Sequence, residues 1–198
     1  MIMEIMPDLH CKDEIRKEMK VLRSRITQED ALLKSSRIME SFFGLEKLSS
    51  PCLIMCYMNF KNEVNTGALI KKCLAQGKGI ALPRVESVND GRIIVPYRIC
   101  NIDKDVECGS YGIMEPVTDT ARRVEPQEID LVIVPGLAFG LNRQRIGYGA
   151  GYYDRLLKEV RKDCVKIGFA YEIQILEKIY ENKLDVPMDI IITEERII

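Results

Sequence analysis

The chain has almost no histidine: His10 is the single one among 198 residues. Ser-His-Asp, Cys-His and His-rich metal mechanisms all depend on that side chain, so one copy near the start of the chain nearly excludes them. Net charge is nearly absent too, at −1. No bulk attraction to nucleic acid or to an anionic membrane is implied, and any bound anion must be held by locally placed cations. No long apolar run of the length a membrane helix needs occurs, so no membrane partner is expected. Met1–His10 make a poor signal peptide, because Glu4 and Asp8 interrupt the segment and no long apolar stretch follows. They read as a frayed extension. A disulfide framework is not expected. The seven cysteines are odd in number and several lie in apolar runs, the usage of reduced, buried thiols in a cytoplasmic protein. Cys52 and Cys56 form the only close pair, and no second pair completes a zinc site.

What is present fits one α/β domain spanning residues 1–198. Ile15, Met19 and Leu22 recur at helical spacing among charged residues, predicting a helix from Cys11 to about Thr27. A second helix is expected over Gln28–Phe43, and a third from an Asn65 or Thr66 cap to about Ala75. Strands are expected after Pro51 through Tyr57, over Gly79–Leu82 with Pro83 as its end, over Arg92–Ile99, and at Asp130–Val134, Val165–Ala170 and Ile190–Thr193. Pro96 suggests an edge or a bulge. A helix from Tyr152 to about Arg161 and a helical Glu172–Tyr180 complete the reading. Strands alternating with helices indicate a largely parallel sheet with helices on both faces.

The informative segment is Asp130-Leu-Val-Ile-Val-Pro135-Gly136-Leu-Ala-Phe139, followed by Arg145-Ile-Gly147-Tyr148-Gly149-Ala150-Gly151-Tyr152-Tyr153-Asp154-Arg155. A buried strand is followed by three glycines at every second position and then a helix. Glycines admit close approach of the backbone to a ligand, and free N–H groups at a helix start favour phosphate. Arg145 adds a mobile cation before the loop. Asp154 has two readings, a carboxylate complementing the helix dipole or a Mg²⁺ ligand beside phosphates. Gly-x-Gly-x-Gly alone is weak evidence. No Gly-Lys-Ser/Thr follows it, so it is not a Walker A loop, and it lies too far down the chain for the usual dinucleotide fingerprint.

The combined run is nevertheless distinctive. Pro135-Gly136-Leu-Ala-Phe139, Arg145-Ile-Gly147-Tyr148-Gly149 and Gly151-Tyr152-Tyr153-Asp154-Arg155 resemble the signature of the 5-formyltetrahydrofolate cyclo-ligases, also called methenyltetrahydrofolate synthetases. Weaker matches follow in the right order. They are Lys12 with Arg16, Tyr57-Met58 followed by Glu63-Val64, Gly77-Lys78 with Leu82-Pro83-Arg84, Gly109-Ser-Tyr111-Gly112-Ile-Met-Glu115-Pro116, and Asp189. Met114 departs from the family's proline in that last loop, and Gly140 and Arg143 stand where the family usually has Asp and Gly.

The resemblance implies a three-layer αβα sandwich similar to the sugar-phosphate isomerase and CoA-transferase folds. It implies ATP, Mg²⁺ and 5-formyltetrahydrofolate, possibly polyglutamylated, as ligands, with oligomeric state left open. Arg145 and Tyr152 would be catalytic. Lys12, Arg16 and Arg145 with Gly147, Tyr148, Gly149, Ala150, Gly151, Tyr152 and Tyr153 would bind ATP. Met58, Glu63, Arg84, Tyr111 and Tyr152 would meet the folate, and Asp154 and Asp189 the metal. Plainer readings stand beside these: a solvated face for Lys12 and Arg16, core packing for Met58 and the tyrosines, surface charge for Glu63 and Arg84, and a strand-start residue for Asp189. Two other functions fit the same fold, a sugar-phosphate isomerase or CoA-transferase relative and a non-catalytic folate-binding module.

Overall fold

The computed structural model describes residues 12–45, 52–88, 91–109, 112–180 and 182–198. The expected N-terminal extension, His10 and Tyr111 lie outside these.

Helix α1, Lys12–Ser24, carries Asp13 and Glu14 in its first turn and Arg23 in its last. These charges complement the helix dipole. It stops before the expected Thr27 because the Ser24 hydroxyl bonds back to the Val21 carbonyl at 2.7 Å and Thr27 instead opens α2, Gln28–Gly44, by accepting from the Asp30 amide. In α3, Gly67–Ala75, the two candidate caps divide the work. Asn65 Oδ1 accepts from the Gly67 amide at 2.9 Å, while Thr66 turns inward and donates to the Tyr57 carbonyl.

The main sheet holds β1 (Leu53–Met55), β2 (Gly79–Val88), β3 (Gly91–Ile99), β6 (Arg122–Arg123), β7 (Leu131–Val134), β10 (Val165–Phe169) and β12 (Ile190–Ile192). Its order is β12-β10-β7-β1-β2-β3-β6. Neighbours from β12 to β2 are parallel; β2, β3 and β6 are joined antiparallel. Two small sheets flank it: β4 (Val106–Cys108) with β5 (Met114–Pro116), and β8 (Ala138–Gly140) between β9 (Arg145–Ile146) and β11 (Ile175–Leu176).

Alternate strand residues serve opposite faces. Ile54, Leu131, Ile133, Ile167 and Ile192 pack with Ile38, Met39 and Phe42 of α2 and Leu69, Ile70 and Cys73 of α3. Leu53, Met55, Val132, Val134 and Ile191 pack on the other side with Leu156 and Leu157. Burial on both faces explains the unbroken apolar runs and makes three layers. Met19 of α1 joins Leu137, Ala138, Ile146 and Ile179 in a separate cluster over the small sheet.

Several boundaries differ from the sequence expectation. Pro83 does not end β2, which continues to Val88 with Pro83 opposite Pro96 of β3. The Cys56 amide donates to the Ala81 carbonyl, so the side of Pro83 that lacks an N–H faces past the end of β1, where no ladder partner is needed. Pro96 is tolerated inside the sheet because it only has to accept, from the Val124 amide at 2.9 Å. Helix α4 covers only Tyr152–Leu156. Beyond it the bonds tighten to i→i−3, from Lys158 to Arg155 and Glu159 to Leu156, and the helix does not reach Arg161. The segment read as helical at Glu172 is one 3₁₀ turn, Glu172–Gln174, leading into β11. Burial of cysteine holds for Cys56, Cys73 and Cys164, whereas Cys52, Cys100 and Cys108 are exposed; none of these six forms a disulfide.

Candidate active site

The parallel strands β1 and β7 are neighbours, yet the chain leaves β1 toward β2 and β7 toward β10. The direction of winding reverses between them, and ligands of open α/β sheets sit outside the carboxyl ends of the strands at such a point. Here a cavity of about 810 Å³ opens there, lined by Tyr57 and Met58 after β1, Pro135 after β7, and Pro83 and Val85 of β2.

One wall is the glycine loop between β9 and α4. Gly147, Tyr148, Gly149, Ala150, Gly151, Tyr152, Tyr153 and Asp154 all line the cavity. Gly149 has φ +108°, in the region that favours glycine. A side chain on Gly147 would place its Cβ 2.6 Å from Arg145 Nη1, so that glycine is needed for the guanidinium to lie against the loop. The expected strong helix dipole is not part of the site, because α4 is a five-residue helix. Cations take its place: Lys12 and Arg16 from α1 line the cavity beside Arg145, Arg155 and Lys158.

Lys12, Arg16 and Arg145 are each paired within the protein. Arg16 Nε donates to the Gly147 carbonyl at 3.0 Å, and Lys12 meets the Asp185 carboxylate. Arg145 is not the mobile cation the sequence suggests. Its side chain is 4% exposed and Nη2 donates to Asp154 Oδ1 at 2.8 Å. Its Nε is buried with no partner, as is the Tyr153 hydroxyl. Two buried donors left unsatisfied beside a cavity are costly unless a ligand oxygen meets them. Together with the loop they fit an oxygen-rich anion such as a polyphosphate.

The cavity is also lined by the apolar Met58, Phe60, Ile94, Ile113 and Met114 and by the Glu63 and Glu115 carboxylates. Burial pushes the Glu63 carboxyl above the ordinary carboxylate range, against the opposing pull of the Tyr148 hydroxyl, the Phe60 amide and Arg23. Glu63 Oε2 accepts from the Phe60 amide at 3.0 Å and Oε1 from the Tyr148 hydroxyl at 2.5 Å. Burial also drives the Tyr153 phenol upward, so it stays protonated and able to donate.

The structure thus gathers thirteen of the sixteen expected site residues in one cavity. Arg84 is not among them. Its guanidinium turns away to Glu107 at 2.8 Å and the Pro116 carbonyl, where it braces the β4–β5 hairpin. Asp189 is not brought to Asp154 either. Its carboxylate accepts from the Lys166 amide at 2.7 Å and pairs with Lys166 Nζ. Tyr111 lies outside the described residues.

Two residues were missed. Asp185, four positions before Asp189, is the acid of that segment that lines the cavity. Both flank Val-Pro-Met, and spacing alone does not say which faces inward. Arg23 continues the Lys12–Arg16 face of α1 by two further turns, which is a legible helical signal. It is buried and reaches the Tyr148 hydroxyl at 3.0 Å. The departures near the loop are accommodated locally. Arg143 adopts φ +61°, in the region that favours glycine, the residue usual at this position. Beside Gly140, the Asn142 side chain fills the space and bonds the Ile179 backbone in both directions.

Fold and cavity place the chain in the open α/β class, with a cation-lined glycine loop and apolar, carboxylate-bearing residues lining one cavity. The model of the 5-formyltetrahydrofolate cyclo-ligase family matches residues 8–194, and the chain belongs to that family. The 5-formyltetrahydrofolate cyclo-ligase of Haemophilus influenzae is 26% identical over 89% of this chain and 94% of its own. The probable 5-formyltetrahydrofolate cyclo-ligase of Schizosaccharomyces pombe is 32% identical over 74% of this chain and 78% of its own. Among solved structures, the Aquifex aeolicus 5,10-methenyltetrahydrofolate synthetase superposes with a TM-score of 0.82 at 33% identity, covering 94% of this chain and 91% of that one. The isomerase, CoA-transferase and non-catalytic readings are not favoured by these relationships.

Proposed function

We propose that the chain, acting as one domain, uses ATP to convert 5-formyltetrahydrofolate into 5,10-methenyltetrahydrofolate, releasing ADP and phosphate. The observation that carries this reading is that one cavity is lined both by the cation-bearing glycine loop and by apolar residues with the Glu63 carboxylate. A phosphate donor and a heteroaromatic acceptor can meet only where both are offered.

The formyl oxygen is a weak nucleophile and a poor leaving group. Transfer of the γ-phosphoryl group to it forms an O–P bond and breaks the bond to ADP. N10 then attacks the activated carbon, the C–O bond breaks, phosphate leaves with that oxygen, and N10 loses its proton. Such transfer depends on alignment and charge neutralisation more than on a strong base, which suits a site whose described residues include no histidine. Lys12 and Arg16 would exchange their protein partners for phosphate oxygens. Arg145 would neutralise the charge developing on the transferred group, and the Tyr152 ring would border the reacting atoms. Glu63 would accept N–H bonds from the pterin, with Met58 packed on its face.

Among the described residues no group of three or more potential metal ligands is clustered. Mg²⁺ usually binds through one or two carboxylates plus substrate phosphates, and the half-buried Asp154 lining the cavity fits that smaller requirement. There the ion would screen the charge of the phosphates. No helix among the described residues is long and apolar enough to cross a membrane, and exposed cysteines outside disulfides suit the reducing cytoplasm. The test is direct: protein with Mg²⁺, ATP and 5-formyltetrahydrofolate should generate the absorbance of the methenyl product. Folded protein that yields none above a no-enzyme control overturns the reading.

A further inference from the structure

Tyr148 belongs to the glycine loop by its backbone, while its side chain reaches Glu63 and Arg23 from distant parts of the chain. Its hydroxyl donates to Glu63 Oε1 at 2.5 Å and accepts from Arg23 Nη1 at 3.0 Å. The residue is 46% exposed, and the described polar contacts of its side chain are these bonds. Its chain neighbours are Gly147, whose carbonyl receives Arg16, and Gly149 at φ +108°. One hydroxyl therefore ties the loop to the only Glu63 oxygen that the Phe60 amide does not engage.

The same arrangement occupies both halves of the cavity with protein contacts. Lys12 sits on Asp185, Arg16 on the Gly147 carbonyl and Asp13, and Arg145 on Asp154. A phosphate that takes Arg16 from the Gly147 carbonyl does so beside Tyr148. A ligand N–H entering at Glu63 must share or displace the Tyr148 hydroxyl. Each event would loosen the bonds that hold the loop in its self-paired position.

We propose that Tyr148 is a positioning residue that couples the two ligand sites: its bond to Glu63 holds the loop in a self-paired state that both ligands open, so ATP and the formylated folate bind with positive cooperativity. This rests on the reading of the loop as the phosphate site and of Glu63 as the folate acceptor. The ligand that arrives first bears the cost of opening, and the second binds a loop already released. Linkage requires the enhancement to be equal in both directions.

Calorimetry with 5-formyltetrahydrofolate and the β,γ-imido analogue of ATP plus Mg²⁺ tests this, each ligand being titrated alone and with the other saturating. In the wild type each ligand should tighten the other about fivefold or more. In Tyr148→Phe, which keeps the ring and loses the hydroxyl, the folate alone should bind more tightly than to wild type and the mutual enhancement should fall toward one. A purely structural role would shift melting temperature and both affinities while leaving their ratio unmoved. Equal enhancement in the two proteins overturns the proposal, and so does weaker folate binding by Tyr148→Phe, which would make Tyr148 a direct ligand. A wild type that binds both ligands independently removes the coupling alone. One that binds neither removes the functional reading with it.

Discussion

Asp154 Oδ1 lies 2.8 Å from Arg145 Nη2, and the guanidinium it meets is almost fully buried. This pair links the strand before the glycine loop to the helix after it, so the loop is clamped at both ends. Asp154 therefore has a structural duty besides any metal. Asp154→Asn should reduce turnover by about tenfold or more. It should also cost about 1–3 kcal/mol of stability, because a neutral amide removes the carboxylate that the buried Arg145 Nη2 meets. Turnover against Mg²⁺ concentration, read beside denaturant unfolding, separates the duties. A raised Mg²⁺ requirement supports the metal role, and a stability loss with unchanged Mg²⁺ dependence leaves only the clamp.

Gly149→Val should disable ATP binding with the domain still folded. A Cβ at this position has room, its nearest neighbour being Arg16 Cζ at 3.7 Å, so crowding is not the reason. The backbone is: φ +108° is strained for a β-branched residue by about 1–3 kcal/mol, and the loop should shift to relieve it. Wild-type affinity for the imido analogue of ATP in this variant would place phosphate elsewhere.

Glu63→Gln should weaken folate binding far more than ATP binding, by roughly 1.5–3 kcal/mol for one lost charge-assisted bond. Because burial raises the Glu63 carboxyl above its usual range, acidification should convert it to the neutral acid at a higher pH than an exposed glutamate. Wild-type folate affinity should accordingly begin to fall above the ordinary carboxylate range as pH drops. The Gln variant should lack that limb. Binding isotherms across pH for both proteins decide it, and parallel profiles would remove Glu63 as the acceptor.

Asp185 is shifted the other way from Glu63 and should contribute stability that is lost only in more acid solution. Burial alone would raise its carboxyl, but the Lys12 ammonium and the Asn182 amide outweigh that and hold it below the ordinary aspartate value. The contribution is fully present above the unfolded value of about pH 3.9 and disappears as pH falls through the lower folded one. Unfolding of wild type and Asp185→Asn should differ by a constant amount near neutrality, with the gap closing in acid. A gap that persists unchanged to low pH would mean that charge plays no part.

The layers, the family and most residues of the candidate cavity were legible in the chain itself. Val, Ile and Leu runs buried on both faces leave little choice but parallel strands between helices, and the Arg145–Arg155 run carries its loop with it because consecutive residues cannot be far apart. What tertiary structure decided were matters of direction and partnership. Whether Asp185 or Asp189 enters the cavity depends on where the last loop meets Lys12 and Lys166. Arg84 leaves the site because the β4–β5 hairpin offers it Glu107 and the Pro116 carbonyl. The bond between Tyr148 and Glu63 joins residues 85 positions apart, and no local pattern encodes it. A side chain's type is written in the chain, but its hydrogen-bond partner is set by whichever distant group folding brings within about 3 Å.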